Sequence, residues 1–259
     1  MPFGICHLSL VPARAEATDR AEMVTQLLFG DHFEILEEQE RWTRILTGAD
    51  QYPCWIGAKQ WLPISESDFA EMQNSIQPLS SELIQVAKNP EGEPFPIVLG
   101  SQLPFLEEGK MRLGDHEFLY EGHSLEPAIN QGRSHILEHA FIYMNSPYLW
   151  GGKSPFGIDC SGLTQMVYRL AGLPIPRDAS QQALIGEVLS FLEEALPGDL
   201  AFFDNEEGHI IHTGIILEGG RILHASGKVR IDHLDHEGIY DKKAGRYTHK
   251  LRVIRRITE

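Results

Sequence analysis

In the stretch Tyr148-Leu149-Trp150-Gly151-Gly152, followed by Gly157-Ile158-Asp159-Cys160-Ser161-Gly162, a glycine-rich loop turns into a helix at a single cysteine. Leu163, Met166, Val167 and Leu170 then recur at helical spacing, and Gly172 and Pro174 end the run. A cysteine in the first helical turn faces unpaired backbone N–H groups and the positive end of the helix dipole. That placement predicts a lowered thiol pKa and a larger thiolate fraction. Two N–H groups at such a tip suit an oxyanion, and the preceding glycines let backbone approach a substrate. The competing reading is a plain core cysteine, since free Cys is among the most buried residues.

A nucleophile needs a base. Downstream, Gly208-His209-Ile210-Ile211-His212-Thr213-Gly214-Ile215-Ile216 and Arg221-Ile222-Leu223-His224-Ala225-Ser226 read as consecutive apolar strands joined at Glu218-Gly219-Gly220. A three-residue loop pairs Leu217 with Arg221, Gly214 with His224 and His212 with Ser226. Both imidazoles then lie diagonally on one face, about 7–8 Å apart. A two-residue Gly-Gly turn puts them on opposite faces. A catalytic site therefore predicts an odd loop or a bulge. In that case one ring takes the Cys160 proton and the other orients it. Read singly, either His is a half-buried strand residue.

Around this core, Ser134 is placed to cap a helix through Ile136, Leu137, Ala140, Phe141 and Met144, which Asn145-Ser146-Pro147 stops. A third helix is expected after Asp178. Strands follow at Leu200–Phe203, Thr213–Leu217, Ile222–His224, Val229–Ile231 and Leu251–Ile254. Helices first and strands after predict an α+β domain with an antiparallel sheet over residues 129–259. Upstream, Met23–Leu28, His32–Glu37, Trp42–Leu46, Trp55–Gly57 and Trp61–Leu62 alternate like half-buried strands, which suits a small barrel over 1–68. The middle, 69–128, carries Pro90, Pro94, Pro96 and Pro104, which forbid long helices. Its short apolar runs suggest a second, diverged barrel.

The 259 residues carry 22 Lys and Arg against 37 Asp and Glu, a net charge of −15, which disfavours nucleic acid and anionic membranes. No run reaches the ~20 apolar residues of a membrane span, so no integral membrane contact is expected. Three cysteines, Cys6, Cys54 and Cys160, cannot build a disulfide framework. The N-terminus shows no basic stretch followed by an apolar one, so a cytoplasmic protein is expected, or a periplasmic or secreted one if a signal has been processed. His233, His236 and His249 lie in a polar stretch and read as surface residues. His209, His212, His224 and Cys160 form a conceivable zinc set, but without a CxxC or HExxH motif no metal or other cofactor is expected.

Six motifs occur in order: Tyr148-Leu149-Trp150-Gly151-Gly152, Asp159-Cys160-Ser161-Gly162, Pro176-Arg177-Asp178-Ala179-Ser180-Gln181, Pro197-Gly198-Asp199-Leu200, His212-Thr213-Gly214-Ile215 and His224-Ala225-Ser226. Together they resemble the NlpC family of bacterial cell-wall cysteine peptidases, which implies a papain-like fold for 129–259. The N-terminal segment is similar to a bacterial SH3-like domain, so one or two SH3-like barrels precede the catalytic domain. The resemblance implies Cys160 as nucleophile, His212 as general base and His224 as the orienting third residue. Thr213 stands where Val is commoner in the family.

Members with such barrels resemble γ-D-glutamyl-L-diamino acid endopeptidases. These release L-Ala-γ-D-Glu from murein stem peptides and require a free N-terminal L-Ala. The resemblance implies substrate binding by Tyr148, Asp159, Ser161 and Asp178, with Asp159 near the substrate ammonium. As a residue, Asp159 reads equally as a helix cap. Glu16, Glu22, Tyr52 and Trp61 are candidates for pocket-closing groups on the first barrel. The expectation is a monomeric recycling peptidase acting on murein peptides. The alternatives are an endopeptidase on intact peptidoglycan and a non-catalytic wall-peptide binding module.

Overall fold

The computed structural model describes residues 2–127 and 133–258. It divides into two compact units, Met1–Pro127 with Lys153–Pro155, and Ala128–Gly152 with Phe156–Glu259. The expected Ser134 cap, and part of the expected boundary over 126–133, lie outside the described residues.

In the first unit, β1 (Phe3–Ile5), β2 (Leu10–Arg14), β3 (Met23–Leu28), β4 (His32–Glu38), β5 (Trp42–Thr47), β6 (Pro53–Gly57) and β7 (Leu62–Ile64) form one antiparallel sheet in the order β3-β2-β6-β5-β4-β1-β7. Alternation builds it: Thr43, Ile45 and Thr47 are buried while Arg44 is exposed. Cys6 and Cys54 sit in its core with Val11, Leu27, Phe33, Ile45 and Ile56. Tyr52 and Trp61 pack against the same cluster. Helix α1 (Glu66–Asn74) is capped by Ser65, whose Oγ accepts from the Asp68 N–H at 3.0 Å. The boundary expected at 68/69 falls inside this helix.

The rest of the unit holds β8 (Leu79–Ser80), β9 (Ile84–Lys88), β10 (Pro94–Val98), β11 (Lys110–Leu113), β12 (His116–Tyr120) and β13 (Ser124–Leu125). Four of these form an open sheet, β10-β9-β12-β11, and β13 pairs with β8. Pro94 and Pro96 are tolerated because β10 is an edge strand. Ile5, Phe29 and Met72 share one core cluster with Ile97, Leu113 and Phe118. That common core joins two segments that the sequence reads as separate barrels.

The second unit contains α2 (Arg133–Ile142), β15 (Gly157–Ile158), α3 (Cys160–Leu170), α4 (Ala179–Gln182), β16 (Glu187–Leu189), β17 (Leu200–Asp204), β18 (Ile210–Leu217), β19 (Arg221–Ser226), β20 (Lys228–Leu234), β21 (Gly238–Asp241) and β22 (Arg246–Arg256). The short β14 (Lys153–Ser154) is grouped with the first unit. Helices do precede an antiparallel sheet, ordered β16-β22-β17-β18-β19-β20-β21. The sheet is also closed, because the long β22 pairs with β21 by its first half and with β17 by its second. The apolar stripe of α3, Leu163, Met166, Val167 and Leu170, is fully buried, and α3 packs on β18 and β19. Among the described residues, no helix is long and apolar enough to cross a membrane.

Candidate active site

The tip of α3 is held by one buried carboxylate. Asp159 is extended (φ −93°, ψ 179°), and its Oδ1 accepts from the Gly162 N–H at 2.6 Å, an N-cap. Oδ2 accepts from the Gly151 N–H at 2.8 Å. Arg177, 1% exposed, donates to both oxygens, Nη1 to Oδ1 at 3.1 Å and Nη2 to Oδ2 at 2.6 Å. Its Nη1 also reaches Ser161 Oγ at 2.8 Å. Gln182, fully buried, donates to the carbonyls of Ser161 (3.0 Å) and Pro176 (2.8 Å). A Cβ at Gly162 would run into the Gly152 carbonyl, so the glycines let loop and helix tip touch.

Cys160 is 7% exposed, and its thiol faces the backbone of Thr213 and Ser161. The sequence predicts a thiol lowered by the helix start. Instead, burial pushes it up to about 12, and the Asp159 charge adds to the rise; that backbone and Arg177 only partly offset it. Ionisation of this thiol therefore needs a proton acceptor beside it. Tyr148 is half-buried near Cys160 and Asp159, and burial first, then those charges, push its hydroxyl up to about 12. Asp178 is the N-cap of α4, its backbone N–H donating to Gln181 Oε1 at 3.3 Å.

The histidines follow the odd-loop register. Gly214 pairs with His224 and Leu217 with Arg221, leaving Glu218, Gly219 and Gly220 as the loop. Both rings share one face, with His212 Nε2 and His224 Nδ1 2.8 Å apart. A Cβ at Gly214 would come within 2.9 Å of His224 Cβ, so glycine lets the His224 side chain lie across β18. Burial, then His249 and His224, hold His212 well below the ordinary imidazole range. His224 Nε2 lies 3.0 Å from Asp232 Oδ2.

Residues 145–248 match the NlpC/P60 family, and residues 13–60 match the bacterial dipeptidyl-peptidase Sh3 domain. The chain thus carries an NlpC/P60 domain, of a cysteine peptidase family, behind a bacterial dipeptidyl-peptidase SH3 domain. It is 29% identical over 237 residues to the gamma-D-glutamyl-L-lysine dipeptidyl-peptidase of Bacillus subtilis, covering 85% of this chain and 78% of that one. It is also 29% identical over 248 residues to dipeptidyl-peptidase 6 of Lysinibacillus sphaericus, covering 86% and 88%. A crystal structure of an NlpC/P60 family protein from Bacillus cereus superposes with a TM-score of 0.80 at 18% identity, over 99% of this chain and 100% of that one, a likeness of fold.

Within this NlpC/P60 domain, Asp159 and Ser161 are joined through Arg177, and His212 is joined to His224. The zinc alternative is not assembled. His209 is exposed beside Glu207 at 3.3 Å, and His212 and His224 turn their facing nitrogens on each other. Three residues escape the sequence reading as site members. Arg177 stands in a quoted motif, but its charge partner is 18 residues away. Asp232 shares the His224 face, because β20 sets Arg230 opposite His224 and Asp232 opposite Ile222. Alternation on both sides of Gly227 is the signal for it. His249, which reads as a surface residue, is stacked on the His212 ring, centroids 4.1 Å apart at 24°. Closure of the sheet by β22 puts it there.

Proposed function

We propose that this chain hydrolyses the γ-D-Glu to diamino acid bond of murein stem peptides carrying a free N-terminal L-Ala. The observation that supports this is the buried thiol of Cys160 at the α3 start, facing the backbone of Thr213, the residue after His212, whose ring is tied to His224. In this reading a papain-like domain uses Cys160 as nucleophile, His212 as base and His224 as the orienting group. Proton transfer from Cys160 to His212 replaces a costly lone thiolate with an ion pair. The thiolate attacks the γ-carbonyl carbon, and N–H groups at the α3 tip receive the oxyanion. His212 then protonates the leaving amine as the C–N bond breaks, and water releases L-Ala-γ-D-Glu from the acyl-enzyme.

Tyr148, Asp159, Ser161 and Asp178 line the substrate pocket in this proposal. Asp159 already receives Arg177 and two backbone N–H groups, so its part is chiefly to shape the tip. The whole-chain likeness to dipeptidyl-peptidases favours short released peptides over intact peptidoglycan. In this reading the chain is a recycling enzyme working as a monomer in the cytoplasm. The test is mass spectrometry after incubation with L-Ala-γ-D-Glu-L-Lys, its diaminopimelate counterpart, and N-acetylated twins of both. Cleavage of the free-amine forms alone is expected. Equal cleavage of blocked peptides, or digestion of sacculi, would replace this reading with an endopeptidase.

A further inference from the structure

The chain of polar groups does not stop at the second imidazole. His224, 1% exposed, has Nε2 3.0 Å from Asp232 Oδ2. The other oxygen, Oδ1, accepts from Arg230 Nη2 at 2.7 Å, and Arg230 Nη1 lies 3.2 Å from Asp241 Oδ2. Three strands thus fix one carboxylate: β19 brings His224, β20 brings Arg230 and Asp232, and β21 brings Asp241.

We propose that Asp232 is a positioning residue that locks both imidazoles into one tautomer, leaving His212 Nδ1 as the single proton acceptor offered to Cys160. This rests on the reading of Cys160 and His212 given above. An ionised carboxylate only accepts, so His224 carries its proton on Nε2. Neutral His224 then presents a lone pair at Nδ1. His212 Nε2, 2.8 Å away, must donate to it. The remaining His212 nitrogen, Nδ1, is left bare. Were the Asp232 side absent, either direction of the His212–His224 bond would serve, and in one of them His212 Nδ1 holds a hydrogen and cannot take another.

Asp232 is kept ionised for this work. Burial alone would raise its carboxyl, but the bonds from His224 and Arg230 outweigh it and hold it below the usual carboxylate range. His249, on β22, is a further titratable group facing the rings, stacked on His212 and 5.8 Å from His224. Its Nδ1 is 2.9 Å from Thr248 Oγ1, and stacking contact cannot choose a tautomer.

Asp232→Asn is the informative change. Arg230 claims an oxygen, which turns the new amide N–H₂ toward His224 Nε2 and reverses the direction of both histidine bonds. A wrong tautomer costs a serine triad about 10⁴-fold. Acting one ring further away, the same error here is expected to lower kcat by about 10²-fold with KM within twofold. The base limb of the pH profile should also move to lower pH, because the imidazolium loses a stabilising charge. Asp232→Glu should restore most of the rate.

The tautomers are read directly from nitrogen-15 imidazole spectra of the full chain, with no substrate present. Nε2–H signals for both His212 and His224 in the wild type, with His212 switching to Nδ1–H in Asp232→Asn, support the proposal. A wild-type His212 carrying its proton on Nδ1 overturns it, whether or not any variant folds. So does an Asp232→Asn enzyme with unchanged spectra and pH profile, or one whose rate loss merely follows a lowered Tm. Iodoacetamide alkylation of Cys160 separates this from the parent reading. If His212→Ala leaves the wild-type alkylation rate and turnover intact, the base assignment fails instead.

Discussion

Cys54 and Cys160 are the same thiol in two surroundings. Both are buried, and burial pushes both up to about 12. Cys54 lies on β6 among the apolar Val11, Ile45 and Ile56, with Asp50 and Lys153 as its charged neighbours. Cys160 begins a helix whose tip is bound to Asp159 and Arg177, and its sulfur meets the backbone beside His212. Burial does not tell the two thiols apart, and the helix start of Cys160 does not by itself offset it. What distinguishes them is whether polar groups stand ready to take the proton and receive the charge.

The sharpest way to break this contrast is to remove each sulfur. Cys160→Ala should abolish peptide hydrolysis while the fold persists. Cys54→Ala should keep turnover and lose about 1–3 kcal/mol of stability, an ordinary core deletion. Urea denaturation and a hydrolysis assay on both variants check the pair. Turnover lost with Cys54 and kept without Cys160 would invert the comparison. Next in size is His212→Ala, expected to lower kcat/KM by about 10²–10⁴-fold, the usual worth of a general base. Its alkylation by iodoacetamide at pH 7 should fall in parallel, since without a proton acceptor Cys160 becomes as inert as Cys54.

Much of this contrast is legible in the sequence because its parts are local. The α3 start, its apolar stripe and the glycines before it lie within about twenty residues. The partnership of His212 and His224 follows from the parity of one loop. The rest depends on pairings that no short stretch encodes. Asp232 reaches His224 only through the β19–β20 register, and His249 reaches His212 only because β22 closes the sheet. The first unit divides the same way. Its strands β5 and β6 alternate plainly, but β9 turns Ile84 (50% exposed) and Val86 (57% exposed) outward, against the usual rule. Helix α1 buries only Phe69 and Met72, too little apolar signal to announce it.

The Arg177–Asp159 pair sharpens the comparison from the side of stability. Arg177→Met leaves a buried carboxylate beside Cys160 without its cation, which should cost about 3–5 kcal/mol. Adding Asp159→Asn removes the stranded charge while keeping an oxygen for the Gly162 N–H, so the double variant should recover much of that loss. Urea midpoints of the two singles and the double form the cycle. Additive losses would mean the two side chains act independently, and the helix tip would then be held by its backbone alone.

The smallest effect expected is a pH dependence of folding that belongs to the histidine cluster. Burial, with His224 adding, lowers His249 to about 4, while Asp232 partly offsets this. Its unfolded imidazole takes up a proton near 6.5. Between those values the unfolded chain binds more protons than the folded one, so stability falls as pH drops from about 6.5 towards 4. The slope is at most about 1.4 kcal/mol per pH unit for each proton. His212 is lowered as well and adds to the same window. Asp232 acts elsewhere: its folded carboxyl is lowered from 3.8, so its contribution is lost only as pH falls below that range. His249→Gln should therefore flatten the urea midpoint between pH 7 and pH 5 and leave the steeper acid loss below pH 4 untouched. An unchanged slope would mean that His249 takes up its proton in the folded protein as readily as in the unfolded chain, and the stacked ring over His212 would have to be open to water.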